Sequence, residues 1–206
     1  MKRKPDMTGS ERGQAFTLEG FIGAMVVLMA VLFALQAVVL TPTSGGLADR
    51  SIQSQVQQEA QDALVVSDQD GNLSETVRNW DGEGGFNETD GQTGPEGNQT
   101  YSAENFGNVS TLGDILNQSF AERGWSYNVE LHYTNETGSH ETRTLVYQGS
   151  PSSDAVTASY TVTLYETQEA GSKQLRNYDE DNDWSIPRSS DSDMLYNVVE
   201  VRVTLW

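Results

Sequence analysis

The chain has 206 residues, twelve of them basic and thirty acidic, for a formal net charge of −18, and it has no cysteine. An isoelectric point near 4.2 excludes nucleic acid as an electrostatic partner, because counterion release from a polyphosphate requires a basic patch. The lack of cysteine excludes a disulfide framework and a lipid-modified cysteine, so an exported domain here must rest on a packed core.

Lys2, Arg3, Lys4 and Arg12 make residues 1–13 a basic leader. Phe21 to Leu40 follows as twenty residues with Gln36 as the one strongly polar member, which is about the length that crosses a bilayer core. The run is apolar all round rather than on one face. A transmembrane helix over 14–40 is predicted, with membrane lipid as its partner. A secretory signal would have an apolar region of only about 7–15 residues, and Gly46-Leu47-Ala48 behind the run is a faint match to a cleavage site.

Basic flanks stay in the cytoplasm, so the N-terminus is expected inside and the C-terminal domain outside the cell. After Leu40 there are eight basic and twenty-seven acidic residues, a net of −19. The acids are scattered through every segment, as a surface adapted to high salt requires when screening acts within a few ångströms. A locally acidic binding surface is the competing reading.

Thr41 to Gly46 holds a proline and two glycines and predicts a hinge at 41–46. Residues 47–66 read as an amphipathic helix, with Ile52, Val56, Ala60, Ala63 and Leu64 on one face and glutamines on the other. An acidic extracellular domain is expected over 67–206. Within it, 67–105 reads as a long polar loop in which Trp80, Phe86 and Tyr101 are isolated apolar points. Ser110 or Thr111 caps a helix over 111–123, with Leu112, Ile115, Leu116 and Phe120 on one face and Gly124 at its end.

Strict alternation follows in Trp125 to Tyr133, Thr142 to Gln148, Val156 to Leu164 and Val199 to Leu205, the period of half-buried strands. Asn135 to Ser139 supplies a hairpin turn, 168–193 reads as a second acidic excursion, and the chain ends inside its sheet. The fold class predicted is α+β: a long N-terminal transmembrane helix, then an antiparallel sheet of about four strands over 125–206 packed on one or two helices.

Six of the twelve asparagines, Asn72, Asn87, Asn98, Asn108, Asn117 and Asn135, begin Asn-x-Ser/Thr acceptor patterns, more than the roughly two or three that about one-fifth Ser and Thr gives by chance. N-glycosylation at these sites is expected, with Asn117 least suited because it falls mid-helix. The acids at 179, 181 and 183 alternate like a calcium loop, but Trp184 stands at the turn glycine and Ser190 at the bidentate glutamate. Asp68-Gln69-Asp70-Gly71-Asn72 is a similar fragment. His132 and His140, with Glu130 and Glu141, lack a third strong ligand for zinc. No metal site or cofactor is predicted. Nucleophile elbow, phosphate loop and dinucleotide fingerprint are all missing from the sequence, so no enzyme is predicted either.

The N-terminus also resembles the type IV pilin family, in particular archaeal pilin-like proteins with a short basic leader. Arg12-Gly13-Gln14 is similar to the site at which that family's prepilin-type aspartyl peptidase cuts on the cytoplasmic side, and Phe16-Thr17-Leu18-Glu19 is similar to the opening of bacterial members. The resemblance covers roughly the first forty residues. It implies a pilin-like structural subunit that the peptidase processes, assembling through its N-terminal helix with itself or other pilin-like subunits into a pilus or pseudopilus. Cutting after Gly13 makes Glu19 the sixth residue, one later than in bacterial members, where the glutamate meets the N-terminal amine of a neighbour. A carboxylate at the hydrocarbon boundary costs up to about 3 kcal/mol at the bilayer centre and less near its edge, which a partner cation or interfacial water relieves. The alternative from another class is a monomeric single-pass surface protein with a glycosylated, ligand-binding ectodomain.

Overall fold

The computed structural model describes residues 9–36, 45–69, 71–178, 185–189 and 194–206. Predicted features at 1–8, 37–44 and 179–184 lie outside these residues, among them the alternating acids of the calcium-loop fragment. The chain divides into two compact units, residues 1–48 and 49–206.

In the first unit, α1 (Gly9–Gln36) is a continuous 28-residue helix, which at 1.5 Å per residue is about 42 Å long. Its helical backbone takes in Arg12, Gly13 and Gln14. The window Phe16–Phe33 has a mean hydropathy of 2.2 and none of it is buried within the chain. It is long and apolar enough to cross a membrane. The second helix, α2 (Gly45–Gln69), begins on the glycine pair assigned to the hinge and continues past Val66. Glycine is tolerated there because backbone N–H groups of a first helical turn have no intrahelical partner to lose.

The second unit is built on an antiparallel sheet of β1 (Tyr127–Thr134), β2 (His140–Val146), β3 (Val156–Tyr165) and β6 (Leu195–Leu205), in the order β2-β1-β6-β3. The C-terminal strand therefore lies between β1 and β3, with Leu131 opposite Val201 on one side and Val162 opposite Val199 on the other. Alternation puts Tyr127, Val129, Leu131 and Tyr133 of β1 and Val199, Val201, Val203 and Leu205 of β6 into the core. Ala60, Ala63 and Leu64 of α2, Leu73 and Val77 of α3 (Asn72–Val77), and Leu112 and Leu116 of α5 (Thr111–Ser119) belong to the same buried cluster. At this level the α+β expectation holds: an apolar N-terminal helix, and a four-stranded antiparallel sheet packed on helices.

Two stretches read as polar excursions are instead part of the core. The 67–105 segment contains α3 and the start of α4 (Ala103–Val109), and Trp80, Phe86 and Tyr101 are buried. The Trp80 indole N–H donates to the Val77 carbonyl at 2.8 Å, and its ring meets Tyr178 edge-on at 5.1 Å. In the 168–193 segment, β4 (Glu169–Ala170) and β5 (Lys173–Gln174) form a small ribbon, and Ala170, Leu175 and Ile186 are buried. Arg188 clamps the buried Glu166 carboxylate with Nε and an Nη, each at 2.9 Å, which joins the two ends of that excursion. Isolated aromatics separated by polar residues carry no period, so hydrophobic periodicity misses them.

The helix predicted over 111–123 ends at Ser119, and a 3-10 turn at Ala121–Arg123 follows. At its start Ser110 caps α5 by accepting from the Gly113 N–H, while its own N–H bonds the Phe106 carbonyl that closes α4. A Cβ on Gly113 would collide with the Phe106 carbonyl. Glycine is what lets the backbones of these two helices approach so closely.

Candidate functional site: a polar cleft and six acceptor asparagines

A cleft of about 880 Å³ opens on the second unit beside α3 and the end of α4, within the range of about 300–1,000 Å³ typical of ligand sites. Glu75, Glu88 and Glu169 contribute carboxylates to its lining, Arg78 a guanidinium, and Asn79 and Gln168 amides. Arg78 follows directly on α3, where Nε donates to the Ser74 hydroxyl at 3.2 Å and an Nη donates to the Glu169 carbonyl. Burial lowers its pKa, partly opposed by Glu75 and Glu169. Glu88 has φ 61, the one non-glycine residue in the left-handed region among the described residues, a conformation that local structure must hold in place. Asn105 does so by donating its side-chain amide to the Glu88 carbonyl.

This lining can hydrogen-bond hydroxyls and amides. Among the described residues no group of three His, Cys, Asp or Glu is placed to hold a metal ion. His132 bonds Glu130 through Nε2 and Thr142 through Nδ1, both at 3.1 Å, and His140 meets Thr134 at 3.4 Å, so the two histidines sit in separate local networks.

The six acceptor asparagines fall into distinct environments. The Asn87 amide donates to Asn79 Oδ1 at 3.1 Å and to the Trp80 carbonyl at 2.6 Å. The Asn98 amide donates to the Thr144 carbonyl at 2.9 Å, and that of Asn117 to the Ala103 carbonyl at 2.8 Å. These three side chains tie loops and helices to the core, a role the acceptor pattern alone does not reveal. Asn135 starts the β1–β2 turn, its side-chain oxygen accepting from the N–H groups of Thr137 and Ser139 at 3.0 and 2.9 Å, while its amide donates to Glu141. Half-buried Asn72 and exposed Asn108 use their side-chain amides in no hydrogen bond among the described residues, and both line the cleft.

Glu19 lies on α1 with its side chain exposed. Side chains of Arg12, Gly13 and Gln14 are outside the described set.

The glutamine face of α2 packs along the edge strand β3. Gln57 and Gln61 donate to the Thr157 and Ser159 carbonyls of β3 at 2.9 and 3.1 Å, and Gln53 reaches the Asp154 carbonyl at 3.4 Å. The four-residue spacing of Gln53, Gln57 and Gln61 aligns them along one helix face.

Residues 12–205 match a family model described as "Family of unknown function (DUF7288)". No curated protein and no solved structure matches the chain.

Proposed function

Given that the chain belongs to the DUF7288 family across nearly its whole length, we propose that it is a membrane-anchored surface subunit of pilin-like type, held by α1 with its N-terminus in the cytoplasm and its acidic domain outside. The observation that carries this reading is the fully exposed apolar window Phe16–Phe33, joined to a chain that otherwise packs around its own core. An 18-residue window this apolar and wholly exposed is untenable in water and is satisfied either by lipid or by copies of the same helix. The basic residues before the window favour the cytoplasmic side for its N-terminal end.

Cutting by a prepilin-type peptidase at Arg12-Gly13-Gln14 would leave Glu19 near the new terminus, where the amine of a neighbouring subunit can pair with it during assembly. The salt-adapted surface and N-linked glycans on the outer domain belong to the same reading. The polar cleft favours a second one, in which α1 serves as an anchor for a single-pass monomer whose ectodomain binds a hydroxyl-rich ligand.

N-terminal sequencing of protein recovered from the cell surface separates the two. The pilin-like reading predicts a start at Gln14 or Ala15 that is lost in a Gly13→Trp variant. An intact Met1 in the unmutated protein leaves only the anchor.

A further inference from the structure

Asn72, Asn87 and Asn108 come from three separate segments, the start of α3, the loop after Trp80 and the last turn of α4, yet all line the one cleft. In a chain with six acceptor patterns, half of them converge on 880 Å³ of polar space. A sugar on Asn87 would cost the fold its bonds to Asn79 and the Trp80 carbonyl. Asn72 and Asn108 have no such side-chain amide bond among the described residues, and a sugar attached to either would begin at the cleft wall. The surroundings suit a saccharide: Glu75 and Glu88 bring carboxylates that accept from sugar hydroxyls, and the Arg78 guanidinium brings donors.

We infer that the cleft is the seat of the chain's own N-linked glycan, attached at Asn72 or Asn108 and folded back against α3 and the Gln168–Gly171 segment. This rests on the outward placement of the domain proposed above. In the transfer, Nδ2 of the asparagine forms a bond to the anomeric carbon of a lipid-linked saccharide phosphate as that carbon's bond to phosphate oxygen breaks. The lipid phosphate leaves with the electron pair, and the amide proton passes to a base of the transferase.

The order of events follows from the acceptor hydroxyls. Ser74 Oγ accepts from Arg78 Nε at 3.2 Å and Gln168 Nε2 at 3.4 Å, and Ser110 Oγ pairs with Thr76 Oγ1 at 2.9 Å. Both serines are buried. A transferase that reads the Asn-x-Ser pattern must therefore act before these bonds close, and the cleft is then built around the attached sugar.

The test uses the full chain from cells that carry an N-glycosylation machinery. Glycopeptide mapping is followed by amide hydrogen exchange on the native protein and on an Asn72→Gln/Asn108→Gln variant. Neither side chain makes a hydrogen bond among the described residues, so the variant keeps its packing, whereas Ser74→Ala or Ser110→Ala would disturb it. The expected result is saccharide mass at Asn72 or Asn108 and exchange about tenfold slower over residues 74–79 and 168–171 in the glycosylated chain than in the variant. Bare asparagine at both positions overturns the inference, and so does a glycan whose removal leaves exchange in those segments unchanged. Surface-located protein with both asparagines bare defeats this inference alone; protein found in the cytosol defeats the outward placement with it.

Discussion

Tyr101 shows at the scale of one residue how the polar 67–105 segment is held. Its phenol donates to the Asn87 carbonyl at 2.7 Å and accepts from Asn79 Nδ2 at 2.9 Å, while its ring packs on Phe106 at 5.6 Å. Burial pushes the phenol up to about 12 from its ordinary 10.0, against the lowering effect of the Asn79 bond. Tyr127 and Tyr196 shift the same way for the same reason. A group whose pKa is raised in the fold contributes stability that is complete below its unfolded pKa and is lost as pH rises through the folded one. The stability these tyrosines contribute is therefore expected to hold up to pH 10 and to fall above it, with the share of Tyr101 lost between there and 12. Phenolate absorbance followed in parallel with circular dichroism checks this: a late, cooperative phenolate step coincident with unfolding is expected, and ordinary titration of all eight tyrosines near 10 in a still-folded chain would contradict it. That Tyr101 was an anchor could not be read from a sequence in which its neighbours are polar; the bonds that hold it come from residues 79 and 87, which the loop brings together only once folded.

At the scale of elements, α2 and β3 make one device. The order β2-β1-β6-β3 leaves β3 at an edge, and an unprotected edge is a template for pairing with another chain. Gln57 and Gln61 occupy outward carbonyls of that edge with side-chain amides, so the helix closes the sheet without adding a strand. A Gln57→Ala/Gln61→Ala variant is expected to lose about 1 kcal/mol per bond and to gain a tendency to self-associate. Urea unfolding with light scattering measures both; unchanged stability and scattering would remove the glutamines from this role. The apolar face of α2 was legible from its three- and four-residue spacing, and the strands from their alternation, because both patterns are local. Where helix ends fall was less so: Phe120 continues the apolar face of α5, yet the backbone leaves the helix at Ser119 to seat that ring in the core.

For the whole molecule, the legible and illegible parts divide along physical lines. The apolar run and the charge asymmetry around it are properties of composition, and both were readable without a fold. A polar cleft is a property of long-range packing, since its walls come from α3, the 80s loop, the end of α4 and the β4 region, and no single segment announces it. On the proposed reading, α1 lies in a membrane with the acidic domain outside. Lysine placement makes this measurable: Lys2 and Lys4 precede the apolar window, and exposed Lys173 is the one lysine beyond it. Intact cells treated with a membrane-impermeant amine reagent, then mapped by peptide mass, give the most direct reading. Label on Lys173 from intact cells, with Lys2 and Lys4 labelled only after lysis or removed with the leader, is the predicted result. Lys173 labelled only after lysis, or Lys2 and Lys4 labelled from outside, would contradict it.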